Sequence, residues 1–431
     1  MLVIDHDRPD GPQQAGSQPK VNLARPWCVV AGSLAIIWAT YGLLASNGVF
    51  ISYWSSNQLA HMPRSSTTWI NGVHLFLSLV LGYPAGLIFD KYGSNLLMTG
   101  GGIFYLAGIF AMAESTKFWH FMLAYGVVAG TGCGVSSTIA ISVLSHWFKE
   151  KRGLATGIVM LGGSLGGVMF PLTLRPLFQK IGWSWSIRAL AIFISILVII
   201  GILCIRSGPQ MRHTKKAPFK MFLNPTFLLM TIGVAAFDFV LFGALGLLPA
   251  FGESLNHSHT TSYQLLAILN ACSGVGRILA GMLADRIGPL NATISVLSVG
   301  LISMLAFWLI SNLHVALLYA FAAMFGLSSG GVLSLEPLCI GRLCHESHFG
   351  QFYGACFLAV AAITMICIPV GSTLLDTFGQ HGFVAFFACV LLISIISFAG
   401  SRWLICKGKV DGMVDDGQEI MVEQKRGIRY V

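Results

Sequence analysis

The sequence predicts an all-α polytopic membrane protein with twelve transmembrane helices in two pseudo-symmetric six-helix bundles. Three observations carry this expectation: an apolar composition, twelve recurring apolar runs, and a set of motifs that repeats about 195 residues apart. Of 431 residues, 55% are hydrophobic and 10% charged, and the mean hydropathy is +0.75. So few polar side chains cannot coat a soluble globule, which makes lipid the expected solvent. A hydrocarbon core of ~30 Å takes roughly 20 apolar residues per helix, so a chain of this length holds about twelve spans with short loops.

Residues 1–26 are polar, carry Pro9, Pro12, Pro19 and Pro26, and lack the apolar stretch of a cleavable signal; they read as a disordered cytosolic tail. Apolar runs then follow near 27–50, 67–89, 95–113, 118–144, 153–174, 184–206, 225–250, 261–284, 291–311, 314–340, 349–374 and 382–405. They divide into an N-terminal bundle, 27–206, and a C-terminal bundle, 225–405, joined by a basic cytosolic linker, 207–224. That linker holds Arg212, Lys215, Lys216 and Lys220 and no acid, and reads as a segment held near anionic lipid. Residues 406–431 mix acids and bases as a solvated cytosolic tail.

Orientation follows from the basic residues, because cytoplasmic loops retain Lys and Arg. With both termini cytosolic, inner segments hold 20 of them and outer segments 5, with Arg277 alone inside a span. The formal charge of +9 is then a topology signal for a multi-pass plasma-membrane protein, and the surplus calls for no nucleic acid. Cys133, Cys204, Cys272, Cys356, Cys367 and Cys389 lie in spans without a CxxC and read as small packing residues, and the HxH of His257 and His259 does not make a metal site. Asn256-His257-Ser258 is a candidate glycosylation triplet on the outer face.

The repeat is the most informative feature, since carriers arise from duplicated bundles with a binding site between them. Gly86-x3-Asp90-Lys91-x-Gly93 recurs as Gly281-x3-Asp285-Arg286-x-Gly288, each closing an even-numbered span at the cytosolic face. Gly126 and Gly130 of the fourth span match Gly326 and Gly330 of the tenth, and Gly157 and Pro171 of the fifth match Gly354 and Pro369 of the eleventh. Glycine lets helices approach closely, the acid is expected to cap the next helix, and the base anchors the turn in the cytosol, so each loop reads as a gating latch.

Charges within a span cost about 2.5–3.5 kcal/mol on insertion scales, so each is a functional candidate. Asp238, Arg277 and Glu336 are the three. At ~1.5 Å per residue from the cytosolic helix ends, Arg277 and Glu336 fall at similar depth, about 12 and 9 Å in, and Asp238 higher, about 21 Å in. The sharp reading has Arg277 bind an anionic substrate group while Asp238 or Glu336 exchanges a proton; the plain one is a static Arg277–Glu336 pair. Asn47, Tyr125, Asn270 and Tyr353 are further substrate-binding candidates. Asn71 is a polar neighbour, and His74 a proton-coupling candidate because an imidazole titrates near neutrality.

These paired loops resemble the A-type signature of the major facilitator superfamily. Trp147-Phe148-Lys149-Glu150-Lys151-Arg152-Gly153-Leu154-Ala155-Thr156-Gly157, ending near Gly166-Gly167, is similar to the fifth-span motif of its monocarboxylate porter branch. Ser46-Asn47-Gly48-Val49-Phe50, Gly182-Trp183 and Gly326-Leu327-Ser328-Ser329-Gly330 extend the resemblance, which is to the fungal members. The resemblance implies a lysine late in the first span and an Asp-x-x-x-Arg pair in the eighth; here Ala45 and Ser273 stand instead, and Arg277 is what remains. The pre-span signature is likewise reduced to Ala24-Arg25-Pro26-Trp27.

The expected function is therefore secondary transport of a small-molecule organic anion across the bilayer, with protons as candidate coupling ion and no cofactor. The resemblance and its departures favour export of an amphipathic carboxylate or secondary metabolite. Proton-linked uptake of a short monocarboxylate and a non-transporting nutrient sensor are the alternatives. The chain shows no HExxH, GxSxG or convergent catalytic set, so it does not read as an enzyme, and no Walker A sequence to bind ATP.

Overall fold

The computed structural model describes residues 24–62, 64–148, 151–206, 223–254, 259–311, 314–344 and 348–407. The tails over 1–26 and 406–431 and the linker 207–224 lie outside the described residues but for their edges, and Asn256 lies wholly outside them. Every regular element among the described residues is helical.

The membrane-crossing helices are α1 (Arg25–Ser56), α2 (Ser66–Tyr92), α3 (Ser94–Ala113), α4 (Phe118–Trp147), then one continuous stretch, Arg152–Cys204, and α7 (Pro225–Leu248), α8 (Gln264–Ile287), α9 (Pro289–Trp308), α10 (Val315–Ile340), α11 (Phe349–Leu375) and α12 (Thr377–Cys406). The Arg152–Cys204 stretch is 53 residues long, far more than one crossing needs, and turns at Gly182, where φ is +73°. It is α5 (152–181) and α6 (183–204), which brings the eleven candidate spans to the twelve expected. Gly379, at φ +67°, makes the same turn before the body of α12. Gly93 (φ +85°) and Gly288 (φ +87°) end α2 and α8 in the left-handed region that a side chain disfavours. The repeated loop glycines are thus turn residues.

Without water in the bilayer core, polar atoms must find partners inside the protein. Tyr105 donates to the Ala39 carbonyl at 2.6 Å, Trp183 to Met112 at 3.2 Å, Ser328 to Val296 at 2.7 Å and Ser394 to Gly233 at 2.7 Å. These bonds join neighbouring helices within the segments before 206 and after 225. Each segment also carries an aromatic knot: Trp54, Phe121 and Trp183 in the first, Phe251, Trp308, Phe383 and Phe387 in the second.

Between the two segments the packing is different in kind, because it is made by glycine. Along α8, Asn270, Gly274, Arg277, Gly281 and Asp285 recur every three or four residues and so share one face. That face meets Gly153, Gly157, Gly163 and Gly167 of α5. A Cβ at Gly157 would lie 2.5 Å from the Arg277 carbonyl oxygen. On the other side of the molecule, α2 presents Gly82, Gly86 and Asp90 to Gly350 and Gly354 of α11, and a Cβ at Gly354 would lie 2.5 Å from the Gly82 carbonyl oxygen.

Each glycine seam ends in an aspartate. Asp285 accepts from the backbone N–H groups of Gly153 at 2.8 Å and Leu154 at 2.9 Å, the first turn of α5. Asp90 accepts from Gly350 at 3.2 Å and Gln351 at 2.9 Å, the first turn of α11. These amides have no partner within their own helices, and the positive end of the helix dipole favours the carboxylate. The expectation that each acid caps the next helix in sequence is corrected: α3 has no side-chain cap, and Asp90 reaches the opposite segment. The reason is helical phase. Asp90 lies four residues beyond Gly86 on the seam face of α2, so its carboxylate points at α11. Lys91 and Arg286, one position on, are exposed.

A side chain in the seam must force its helices apart, whereas Gly100 of α3 meets nothing within 4 Å. Gly86→Leu and Gly157→Leu are each expected to cost about 1–3 kcal/mol of stability, the usual penalty of overpacking. Thermal melting of the detergent-purified protein, with Gly100→Leu as the unaffected control, checks this.

Candidate functional site

Midway along the α5–α8 seam sits Arg277, 8% exposed. Its Nη1 donates to the main-chain carbonyl of Met160 on α5, and its Nε has no partner. Room for the guanidinium comes from Gly163, where a Cβ would lie 2.6 Å from Nη1 and 3.4 Å from the Cβ of Tyr41 on α1. Among the described residues no ion pair joins Arg277 to Glu336 or Asp238, so the static Arg277–Glu336 pair is not formed. Equal depth did not bring the two together because they leave α8 and α10 on different faces, Arg277 toward α5. Asn270, two turns along the same face of α8, lies beside Gly167 and near Ala45, the position where the resemblance implies a lysine.

Asp238 of α7 and Glu336 of α10 are 2% and 1% exposed. Asp238 Oδ1 and Glu336 Oε1 have no hydrogen-bond partner.

Tyr41 and Tyr353 close the centre of the molecule. The Tyr41 hydroxyl is beside those of Ser137 on α4 and Tyr353 on α11, so one tyrosine from each segment meets across the middle. Tyr353 stands between Phe349 at 5.6 Å and Phe357 at 4.6 Å, ring centre to ring centre. Sequence reasoning chose Tyr353 and missed Tyr41, although Tyr41 is one helical turn from Ala45.

Asn47, Tyr125 and His74 form a second cluster, wholly in the first segment. α1 breaks at Ala45–Ser46, which puts Asn47 at the head of the short helix Asn47–Ser56. The Tyr125 hydroxyl donates to Asn47 Oδ1, the Asn71 amide approaches the Asn47 carbonyl at 3.5 Å, and the His74 ring stacks on Tyr125 at 4.3 Å. His74 Nδ1 meets the Tyr125 carbonyl at 2.8 Å. Tyr125 is carried on a π-helical stretch, Met122–Ala129, a local widening that often marks functional positions. The nine substrate and proton candidates, Asn71 included, thus fall into three groups: a cation in the seam with Asn270 and Tyr353 nearby, two buried carboxyls in the second segment, and an uncharged polar network in the first.

Removing one partner of a buried hydrogen bond costs about 1–3 kcal/mol through the group left unpaired. Tyr125→Phe is expected to lose that much, and to lose little more in an Asn47→Ala background. A double-mutant cycle on melting measures it.

The comparisons with known proteins agree with this architecture. A family model described as Major Facilitator Superfamily matches residues 28–362. The chain is 29% identical to the riboflavin transporter MCH5 of Saccharomyces cerevisiae, over 88% of this chain and 78% of the relative. It is 30% identical to the fujikurins efflux protein of Gibberella fujikuroi, over 93% of this chain and 88% of the relative. Its fold is similar to that of a bacterial homologue of the iron transporter ferroportin solved in an outward-facing state, with a TM-score of 0.71 at 14% identity, covering 88% of this chain and 99% of that one. Twelve apolar helices, paired glycine seams and these likenesses lead to one conclusion: the chain belongs to the major facilitator superfamily and is a multi-pass membrane transporter.

Proposed function

We propose that the protein is a secondary active exporter of an amphipathic organic anion, a carboxylate of the secondary-metabolite kind, within the monocarboxylate-porter-like branch. The bundles 27–206 and 225–405 rock about the central tyrosines, and opening toward the basic face breaks the two aspartate latches. The excess of basic residues on that face supports cytosolic termini, and the plasma membrane is the expected location.

The observation that carries this reading is the buried Arg277 guanidinium, which has no carboxylate partner and keeps an unpartnered Nε. A permanent charge in the membrane is costly unless paired, and a guanidinium matches a carboxylate with two parallel hydrogen bonds. Its bond to the Met160 carbonyl is a neutral substitute that an anion can displace. Relatives named for efflux of aspyridones and fujikurins support export.

The test is flux through the purified protein in sealed liposomes, with a panel of labelled carboxylates ranging from short monocarboxylates to amphipathic acids. Loss of a charge-assisted hydrogen bond is worth about 1.5–3 kcal/mol, so Arg277→Ala is expected to slow transport of the preferred acid roughly ten- to a hundredfold. Arg277→Lys is expected to restore part of it. A folded Arg277→Ala protein that transports at the wild-type rate removes the assignment, and selective flux of a short monocarboxylate replaces the substrate class.

A further inference from the structure

The lipid-facing surface is not filled where α2, α7 and α11 meet. A cavity of about 240 Å³ opens there, lined by Tyr83 of α2, by Phe227, Leu228 and Thr231 of α7, and by Ala355, Leu358 and Ala359 of α11. It exists because α11 offers small side chains one turn apart, Ala355 and Ala359, beside Gly354. A Cβ at Gly354 would lie 2.4 Å from the Tyr83 Cα, so the crevice runs directly beside the α2–α11 glycine seam. An apolar cavity of ~150 Å³ already takes up a molecule the size of benzene.

Three features decide what fits. The mouth faces hydrocarbon, since Leu228 and Leu358 are 51% and 42% exposed on membrane-spanning helices. Counted at ~1.5 Å per residue, Thr231 lies about 9 Å from the start of α7, Ala359 about 15 Å from the start of α11 and Tyr83 about 14 Å from the end of α2, which keeps the crevice within the leaflet of the basic face. One polar atom is set into the apolar wall: Thr231 is buried, and its Oγ1, beside the weakly accepting Cys356 thiol, has no hydrogen-bond partner. A hydrocarbon chain fills such a slot, and an ester carbonyl, which can only accept, takes the hydroxyl. Toward the cytosolic side the charge is positive. Lys91, two turns along α2 from Tyr83, is exposed and has no ion pair among the described residues. Lys215, Lys216 and Lys220 precede α7 in the chain, in a linker without an acid. These bases attract an anionic headgroup.

We propose that this crevice binds one acyl chain of an anionic phospholipid from the leaflet of the basic face, with an ester carbonyl on Thr231 and the headgroup toward Lys91 and the linker lysines. Tyr83 belongs to the first segment and the other lining residues to the second, so the bound lipid touches both halves at once. Parting of α2 from α11 removes one wall of the site. A ligand that favours one of two states shifts the molecule toward it, so anionic lipid helps to hold the basic face shut. That consequence rests on the rocking of the bundles proposed above; the lipid site does not.

The test is photolabelling of the full chain in phosphatidylcholine nanodiscs that contain a trace of phosphatidylserine with a diazirine midway along one acyl chain, followed by peptide mapping. Label is expected to concentrate at 83, 227–231 and 355–359, and to be competed by unlabelled phosphatidylserine in preference to phosphatidylcholine. Ala359→Phe, which fills the crevice, is expected to cut this label roughly tenfold, the equivalent of about two buried methylenes. Thr231→Val is expected to cut it roughly two- to tenfold through the lost hydrogen bond. Ile103→Phe, at a 60% exposed position of α3, is the control expected to change nothing. Each variant must melt cooperatively, and Ala359→Leu replaces a filling variant that does not fold. Label spread over the lipid-facing helices in proportion to their exposure overturns the site. Equal competition by phosphatidylcholine overturns the anionic headgroup, and displacement by an amphipathic carboxylate but not by phosphatidylserine gives the crevice to the transported acid instead. Asp90→Ala combined with Asp285→Ala is expected to weaken the label by opening the wall; unchanged label in that variant overturns the link to alternation. A crevice labelled as expected in a protein that shows no flux leaves the lipid site standing and the carrier reading failed.

Discussion

Two aspartates hold the halves of this molecule together, and each does so by lending its carboxylate to the start of a helix that belongs to the other half. Asp90 takes the first free amides of α11 and Asp285 those of α5. Bonds of this kind are strong because the acceptor is charged and the donors sit at the positive end of a helix dipole. They are also localised. Behind each lies a seam lined largely by glycines, where backbone meets backbone, and in the α5–α8 seam the Arg277 side chain crosses to the Met160 carbonyl.

The same seam decides where chemistry can occur. Bare α-carbons on α5 admit the Arg277 guanidinium, and backbone contact at Gly157 fixes the height at which it enters. The acids are kept elsewhere, packed within the second segment between α7 and α10, and the first segment contributes uncharged hydrogen-bonding groups around Tyr125. Cation, acid pair and neutral network are separate. Tyr41 and Tyr353 are a point at which the two halves touch.

Much of this was legible in the sequence. Composition and the apolar runs gave the lipid-facing helices, and the repeated Gly-x3-Asp motifs located the two glycine seams and the aspartates that end them, because short-range spacing maps directly onto helix faces. The partners of those motifs were not legible: Asp90 and Gly350 are 260 residues apart, and single-chain spacing carries no information about which helix stands opposite. Tyr41 was overlooked because a tyrosine in an apolar run resembles ordinary packing until Gly163 is seen to leave space beside it.

The most direct measurement is the distance between spin labels at Asn95 and Arg342, exposed positions of the two halves at the latched face, by double electron–electron resonance in a cysteine-replaced background. With both aspartates present the account predicts one short, narrow distribution. Replacing Asp90 and Asp285 by alanine is predicted to add a longer population at the expense of the short one, while labels placed within a single half stay unchanged. An unaltered short distribution in the double variant would mean that the glycine seams alone keep this face shut, and would contradict the latch.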